Sequence, residues 1–282
     1  MRRPLIRASG VSFAWSPGHW ALHNLSFELY RSERVCLLGA NGAGKSTTLL
    51  LLNGAHSPCE GQIEIDGVPY EYSRQALNRI HRRVALILQN PDDQVLAQAV
   101  IDDVGLGSLA AGDSPAIARQ KAQSALASVG MLEYSDALVD ELSYGQKKRV
   151  AIAGALVSDP DLLIVDEPTA GLDFTAMEQM LAAFNEIAAR GKCVLLTTHD
   201  TNLAWSWADR ILILDRGALI ESGAAPDEIA PEAWRTAGLQ QPFVSAVWQR
   251  LPSVVTAGKR APRTQHGLLD AVSQRTAFEE VG

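Results

Sequence analysis

Nothing in the 282-residue sequence approaches the ~18–20 consecutive apolar residues that a membrane-crossing helix needs. Its apolar stretches, such as those at residues 48–52 and 162–165, are the size of core segments. The start, Met1-Arg2-Arg3-Pro4, is charged but no apolar stretch follows it, so no secretory leader is expected. Cysteine is scarce: Cys36, Cys59 and Cys193 are odd in number and widely spaced. A disulfide framework is therefore not expected, and Cys36 and Cys193 lie inside apolar runs where reduced core thiols belong. No His/Cys cluster has the spacing of a metal site. No self-similarity recurs at periods of about 20–50 residues. An excess of basic charge is also lacking. The sequence has 25 Lys+Arg against 32 Asp+Glu, a net −7, which argues against a broad nucleic-acid-binding face. What remains is an ordinary globular composition, 47% hydrophobic and 20% charged. It fits one large domain, or one domain with an appendage, in a reducing cytoplasm.

The patterning that is present alternates between strands and helices. Residues 5–13 alternate apolar and polar before Ser16-Pro17-Gly18, which predicts a strand and a hairpin turn. Residues 25–30 repeat the alternation. Val35-Cys36-Leu37-Leu38 is continuously apolar and ends in glycine, as a strand buried on both faces does. A glycine-rich loop follows, then a helical stretch from 45 to about 52. Residues 62–65 with Asp66-Gly67 read as a strand and turn. From 91 to 159 the composition shifts to Ala, Gln and Asp, and apolar residues over 116–129 recur at a helical period. A mostly helical lobe is expected there. Three more buried-strand runs follow at 162–165, 194–197 and 211–214, with a helix over 176–189 between the first two. Strands alternating with helices predict an α/β domain with a parallel core sheet. After Gly223 the pattern weakens into short helices over 226–250, a Pro/Gly/basic linker over 252–267 and a terminal helix over 268–278.

Gly39-Ala40-Asn41-Gly42-Ala43-Gly44-Lys45-Ser46 matches G-x-x-x-x-G-K-[ST] in full and lies between a buried strand and a helix, as the phosphate-binding loop requires. Glycines let backbone N–H groups turn inward around phosphate oxygens. The helix start adds its positive end. Lys45 supplies a point charge between the β- and γ-phosphates, and the Ser46 hydroxyl suits Mg²⁺. Leu162-Leu163-Ile164-Val165 leads into Asp166-Glu167, two acids at a strand tip that faces the ligand crevice of a parallel sheet. Asp166 can hold Mg²⁺ directly or through water. Glu167 can polarise a water toward the γ-phosphate, and the bland alternative for both is a solvated strand end.

Leu142-Ser143-Tyr144-Gly145-Gln146, upstream of Asp166-Glu167, resembles the signature motif of ABC-type ATPases, with Tyr144 where most members carry glycine. Ser143 offers a hydroxyl, Gly145 an unobstructed N–H and the helix start a second positive end; a simple helix cap by Ser143 is compatible with this. Other segments fall in the family's order. Gln89, in Leu88-Gln89-Asn90-Pro91, looks like the Q-loop glutamine, a Mg²⁺/water ligand and hinge to the helical lobe. Gly171-Leu172-Asp173 resembles the D-loop, with Phe174 where proline commonly follows. His199, in Thr197-Thr198-His199-Asp200, resembles the switch histidine that contacts the γ-phosphate. Trp15 stands where the family stacks an aromatic ring on adenine; Trp20 is a weaker candidate, and core packing is the alternative for both.

The resemblance covers residues 4–223. It implies a P-loop ABC ATPase cassette over 1–223 with a parallel-sheet core, an antiparallel β subdomain and a helical lobe at about 91–159. Residues 224–282 form a small C-terminal extension that could hold a dimer together. Gln89-Asn90-Pro91-Asp92-Asp93-Gln94 and the run 147–154 look like energy-coupling-factor importers, most of all the cobalt and nickel type. The resemblance implies ATP and Mg²⁺ as cofactors. Nucleotide contacts fall to Trp15, Gly39, Ala40, Asn41, Gly42, Ala43, Gly44, Lys45, Ser46, Thr47 and Gln89, and, across a dimer, to Ser143, Gly145, Gln146 and Asp173. Mg²⁺ falls to Ser46, Gln89 and Asp166, and catalysis to Glu167 and His199. The expected partners are a second copy or a related ATPase, a membrane coupling subunit and a substrate-binding membrane subunit, with no nucleic acid, at the cytoplasmic face of the cell membrane. Vitamin-type or binding-protein-dependent importers are the main alternative. Soluble ABC ATPases of repair or translation carry long coiled-coil insertions or two cassettes, which this sequence lacks. A fused exporter would need membrane helices, and a non-catalytic module would not need Lys45, Asp166 and Glu167.

Overall fold

The structure, a computed structural model, describes residues 2–279. β1 (Ile6–Ser16) and β2 (His19–Leu29) form a long hairpin closed at Pro17-Gly18, where Gly18 has φ 82°. β3 (Arg34–Leu38) leaves this sheet for the second one and leads through the glycine-rich loop into α1 (Lys45–Asn53). β4 (Glu60–Ile65) and β5 (Val68–Pro69) return to the first sheet, which is antiparallel in the order β2-β1-β4-β5. α2 (Arg74–Arg83), capped by Ser73, then delivers β6 (Val84–Ile87) to the edge of the second sheet.

The expected helical lobe contains α3 (Val100–Ala110), α4 (Pro115–Ser128) and α5 (Tyr144–Leu156), packed on one another. Ser114 caps α4 and a proline occupies its first turn, both favourable helix starts. The chain then alternates β7 (Leu162–Asp166), α6 (Phe174–Ala189), β8 (Cys193–Thr198), α7 (Thr201–Trp207), β9 (Arg210–Asp215) and β10 (Ala218–Ala224). The second sheet has the order β10-β9-β3-β8-β7-β6; its five inner and far strands are parallel and β10 is antiparallel to β9.

This parallel sheet is buried on both faces, which is why its strands read as unbroken apolar runs. Leu38, Val165 and Leu196 face the helical side, where they meet Val104, Ile152 and Phe184. Leu37, Ile164 and Leu195 face the other side, against α1 and the antiparallel sheet through Leu49, Leu52 and Ile63. Each such side chain contributes about 1.5–3 kcal/mol on burial. Cys36 and Cys193 lie on opposite faces of this core, unpaired, with their thiols pushed up by burial, while Cys59 is exposed.

Beyond β10, α8 (Pro231–Thr236) sits on β9 and β10, and Ile229, Trp234 and Ala237 join the helical-side core. α9 (Phe243–Trp248), α10 (Ser253–Thr256) and α11 (Gln265–Glu279) follow. Val244, Trp248 and Leu268 form a separate small cluster around Trp205 of α7. The Trp205 indole N–H donates to the Pro262 carbonyl at 2.9 Å, and Arg263 donates back to the Trp205 carbonyl at 2.6 Å. None of the described helices is long and apolar enough to cross a membrane.

Candidate nucleotide-binding site

Parallel strands present all their carboxyl ends at one edge, so loops that are distant in sequence meet there. Leu38 pairs with Thr198, Asp166 with Thr197 and Ile87 with Val165. The residues just past those pairs are the glycine loop, His199, Glu167 and the segment leading to Gln89. They border one open groove of about 1120 Å³, lined also by Trp15, Ala40, Asn41, Gly42, Gly44, Ser46, Thr47 and Asp166.

The loop geometry depends on its glycines. Gly44 caps α1 with φ 106°, and a Cβ there would come within 2.6 Å of Leu22 and 3.0 Å of the Ala21 carbonyl oxygen. A Cβ on Gly39 would sit 2.6 Å from the Leu214 carbonyl oxygen. The sheet and hairpin thus press the loop into place from behind. The Lys45 ammonium is buried and donates to the Gly39 carbonyl at 2.8 Å and the Ala40 carbonyl at 3.3 Å. Gly39 and Ala43 do not border the groove. Gly39 shapes the loop and holds Lys45 through its carbonyl, and Ala43 is buried against the hairpin.

The two acids are fastened by a residue the sequence reading did not single out. Thr197 is fully buried; its hydroxyl donates to the Asp166 carboxylate and accepts the Glu167 N–H at 3.0 Å. The Ser46 hydroxyl donates to the other Asp166 oxygen at 3.2 Å. Glu167 adopts φ 46°, a left-handed conformation that costs a non-glycine residue roughly 1–2 kcal/mol. That turn sends its carboxylate toward His199, whose Nδ1 lies 3.1 and 3.2 Å from the two carboxylate oxygens. The His199 side chain is 73% exposed. It is held from its backbone side, where Asp200 caps α7. Thr197 is a sheet residue whose hydroxyl looks like any strand threonine in sequence; only the parallel register identifies it.

At the far end of the groove Trp15 is 55% exposed and stands edge-on to Phe13 and His56, with ring centroids 5.1 Å away in each case. Those contacts orient an indole face without covering it. Trp20 and His19, paired across the hairpin with Ala14 and Ser16, line the groove beside it, and Gly238, Leu239 and Gln240 from the chain after α8 line the groove too. This last approach spans most of the sequence and left no local signal.

Ser143, Gly145, Gln146 and Asp173 do not border the groove. Ser143 and Gln146 form a capping box: the Ser143 hydroxyl accepts the Gln146 N–H at 3.3 Å and the Gln146 side chain accepts the Ser143 N–H at 2.8 Å. Asp173 caps α6, accepting the Ala176 N–H at 2.8 Å. Phe174, in the place of the expected proline, is exposed. Tyr144 packs on Gly171 and donates to the Gln89 carbonyl at 3.2 Å.

A glycine loop on β3, a paired acid strand on β7 and a histidine after β8 define a P-loop ATPase of the ABC cassette fold. The chain belongs to the ABC transporter family, whose sequence pattern matches residues 22–170. It is similar to the cobalt import ATP-binding protein CbiO of Rhodobacter capsulatus, with 40% identity over 86% of each chain. It is 38% identical to the energy-coupling factor transporter ATP-binding protein EcfA2 of Methanospirillum hungatei, over 93% of this chain and 65% of that relative. Among solved structures it resembles CbiO1 from Clostridium perfringens, described as part of the ABC transporter complex CbiONQ. That likeness has a TM-score of 0.76 at 30% identity, over 88% of this chain and all of that one.

Proposed function

We propose that this chain is the ATP-hydrolysing motor subunit of an energy-coupling-factor importer, acting as a dimer with a copy of itself or a related ATPase. The observation that carries this reading is that the candidate nucleotide machinery is not gathered in one groove. Lys45, Ser46, Asp166, Glu167 and His199 share one groove, whereas Ser143 and Gly145 lie outside it. One chain offers half of each site, and a facing chain supplies the other half. ATP is a polyanion, so closure around it requires counter-charge in place. Lys45, the start of α1 and the start of the partner's α5 supply it. ATP then favours the closed dimer, and its differential affinity drives closure.

The Ser46 hydroxyl, Asp166 carboxylate and Gln89 amide oxygen are an all-oxygen donor set, which suits Mg²⁺. Bound there, Mg²⁺ would neutralise charge on the phosphates. Glu167 orients the attacking water and accepts its proton, while His199 reaches for the γ-phosphate end of the groove. Trp15 stacks on the base.

Coupling runs through Gln89 to the helical lobe. Beside Gln89, a groove of about 400 Å³ lies between β6 and α5, bordered by Leu86, Leu88, Val95 and the 82%-exposed Leu96. It would receive a helix of the membrane coupling subunit, and the proposed site of action is the cytoplasmic face of the membrane. Cobalt or nickel is the proposed cargo; the likeness to CbiO supports it.

Glu167→Gln should keep MgATP binding, accumulate as a closed dimer on sedimentation, and lose about 10²–10⁴-fold in turnover. A chain that stays monomeric with MgATP, alone and with its membrane subunits, would refute the dimeric motor. Uptake of Co²⁺ and Ni²⁺ by cells carrying Lys45→Ala instead of the natural chain tests the cargo. Undiminished uptake of both ions overturns that assignment.

A further inference from the structure

The first two turns of α5 carry a second device that faces inward. Lys148 is only 4% exposed, an unusual place for an ammonium. Its Nζ donates to the carbonyls of Glu167 at 3.3 Å, Pro168 at 3.0 Å and Ala170 at 2.7 Å. Those three bonds use all three donors of the group. The same nitrogen lies 5.1 Å from the centroid of the Tyr144 ring, one helical turn earlier, within cation–π range. The ring is fixed in turn: its hydroxyl donates to the Gln89 carbonyl and its edge lies against Gly171, where an added Cβ would come within 3.0 Å.

The carbonyls that converge on Lys148 belong to the turn that begins at Glu167, the residue with φ 46°. Inside that turn only one backbone bond closes it locally, from the Ala170 N–H to the Glu167 carbonyl at 3.2 Å. Thr197 holds the Glu167 N–H from the sheet side. A strained residue persists only where its surroundings over-determine it. Here Thr197 pins one end of the peptide and the ammonium pins the carbonyl side of the same residue.

We propose that Lys148 is a positioning residue for hydrolysis: its ammonium, seated against the Tyr144 ring, holds the Glu167–Ala170 turn so that the Glu167 carboxylate points into the nucleotide groove. Tyr144 ties that clamp to the backbone at Gln89. The helix that faces the partner's nucleotide through Ser143 therefore also sets the base of its own chain through Lys148. A shift of α5 with the helical lobe draws the ammonium away from the carbonyls and releases the base. This rests on the reading of Glu167 as the group that orients water.

The test is steady-state MgATP hydrolysis by the full chain with its membrane subunits, beside direct measurement of MgATP affinity. Lys148→Met should lower kcat at least tenfold and change ATP affinity by less than threefold. Tyr144→Leu, which removes the ring, should lower kcat severalfold. Tyr144→Phe, which keeps it, should stay nearer the natural rate than Tyr144→Leu. Because Lys148 acts through Glu167, adding Lys148→Met to Glu167→Gln should lower the residual rate by less than twofold. A kcat for Lys148→Met within twofold of the natural chain, while Glu167→Gln is inactive, overturns the clamp and leaves the base assignment standing. An active Glu167→Gln overturns the base assignment, and the clamp with it. Multiplicative losses in the double variant also overturn the clamp, since the two residues would then act independently. If Lys148→Met fails to fold, Lys148→Gln takes its place. Loss of ATP affinity along with turnover in both makes the residue purely structural, which defeats the proposal.

Discussion

At the sheet edge, Asp166 and Glu167 are fastened by Thr197, which is itself sealed between parallel strands. At the start of α5, Ser143 and Gln146 are fastened only by each other, at the exposed end of a helix. The first arrangement is rigid because it is built from buried contacts between strands distant in sequence. The second is self-contained: its capping box closes within four residues and leaves the serine exposed. On the proposed reading, the two acids of a chain's own groove are held by the core, and Ser143, assigned to a partner's nucleotide, is held locally.

That contrast can be broken at either end. The largest effect should come from Thr197→Val. It removes a buried hydroxyl that holds both acids, which costs about 1–3 kcal/mol where partners are left unpaired. Turnover should fall roughly tenfold or more with a measurable drop in melting temperature. Unchanged turnover would mean that the acids are positioned by other contacts. Ser143→Ala should behave differently. It loses a helix cap worth about 1 kcal/mol, and MgATP affinity of the isolated chain should not change, because Ser143 is outside its groove. Turnover of the dimer should fall severalfold. A loss of affinity in the isolated chain would place Ser143 in its own site after all.

A change of pH sharpens the inward-facing half of α5. Burial pushes the Lys148 ammonium down to about 8, with the Glu167 carboxylate partly opposing the shift. The other titratable groups around it are Tyr144, and Asp166 across a small shared cavity. Between pH 8 and the ordinary lysine range the folded chain binds fewer protons than the unfolded one. This group therefore adds stability as pH rises through that window. Turnover should move the opposite way, falling above pH 8 as the ammonium loses a proton and one carbonyl loses its donor. Turnover that stays flat to pH 10 would detach Lys148 from the reaction. The smallest effect is expected at the base end of the groove. Trp15→Ala should weaken ATP binding about 2–10-fold, the size of one aromatic stacking contact, with kcat nearly unchanged. Unaltered affinity would shift the stacking role to Trp20.

Much of the sheet was legible because burial on both faces leaves continuous apolar runs at Val35–Leu38 and 162–165, and the glycine loop and paired acids sit at their ends. β6 and α2 were not. Val84–Ile87 is only four residues long, and half of α2 is basic, so its apolar face rests on just Ala76, Leu77 and Ile80. α7 and β10 escaped for similar reasons of length and partial exposure. Loop motifs supplied the candidates for nucleotide contact, because that chemistry needs fixed residue types at short spacing. They gave no sign of Thr197, Lys148 or the Gly238–Gln240 segment, whose roles come from pairing across the sheet and from chain returning after many turns.

The indole of Trp234 has a consequence for anyone shortening this protein. It is wholly enclosed in the helical-side core, yet it comes from the stretch after β10. A cut at residue 223 would open a void the size of a tryptophan beneath β9 and β10, whereas a cut near 241 would spare it and instead uncover Trp205 and leave the Ala208 carbonyl and Asn202 without the partners that Arg263 and Phe243 supply. Fragments ending at those two places should therefore differ first in whether they fold.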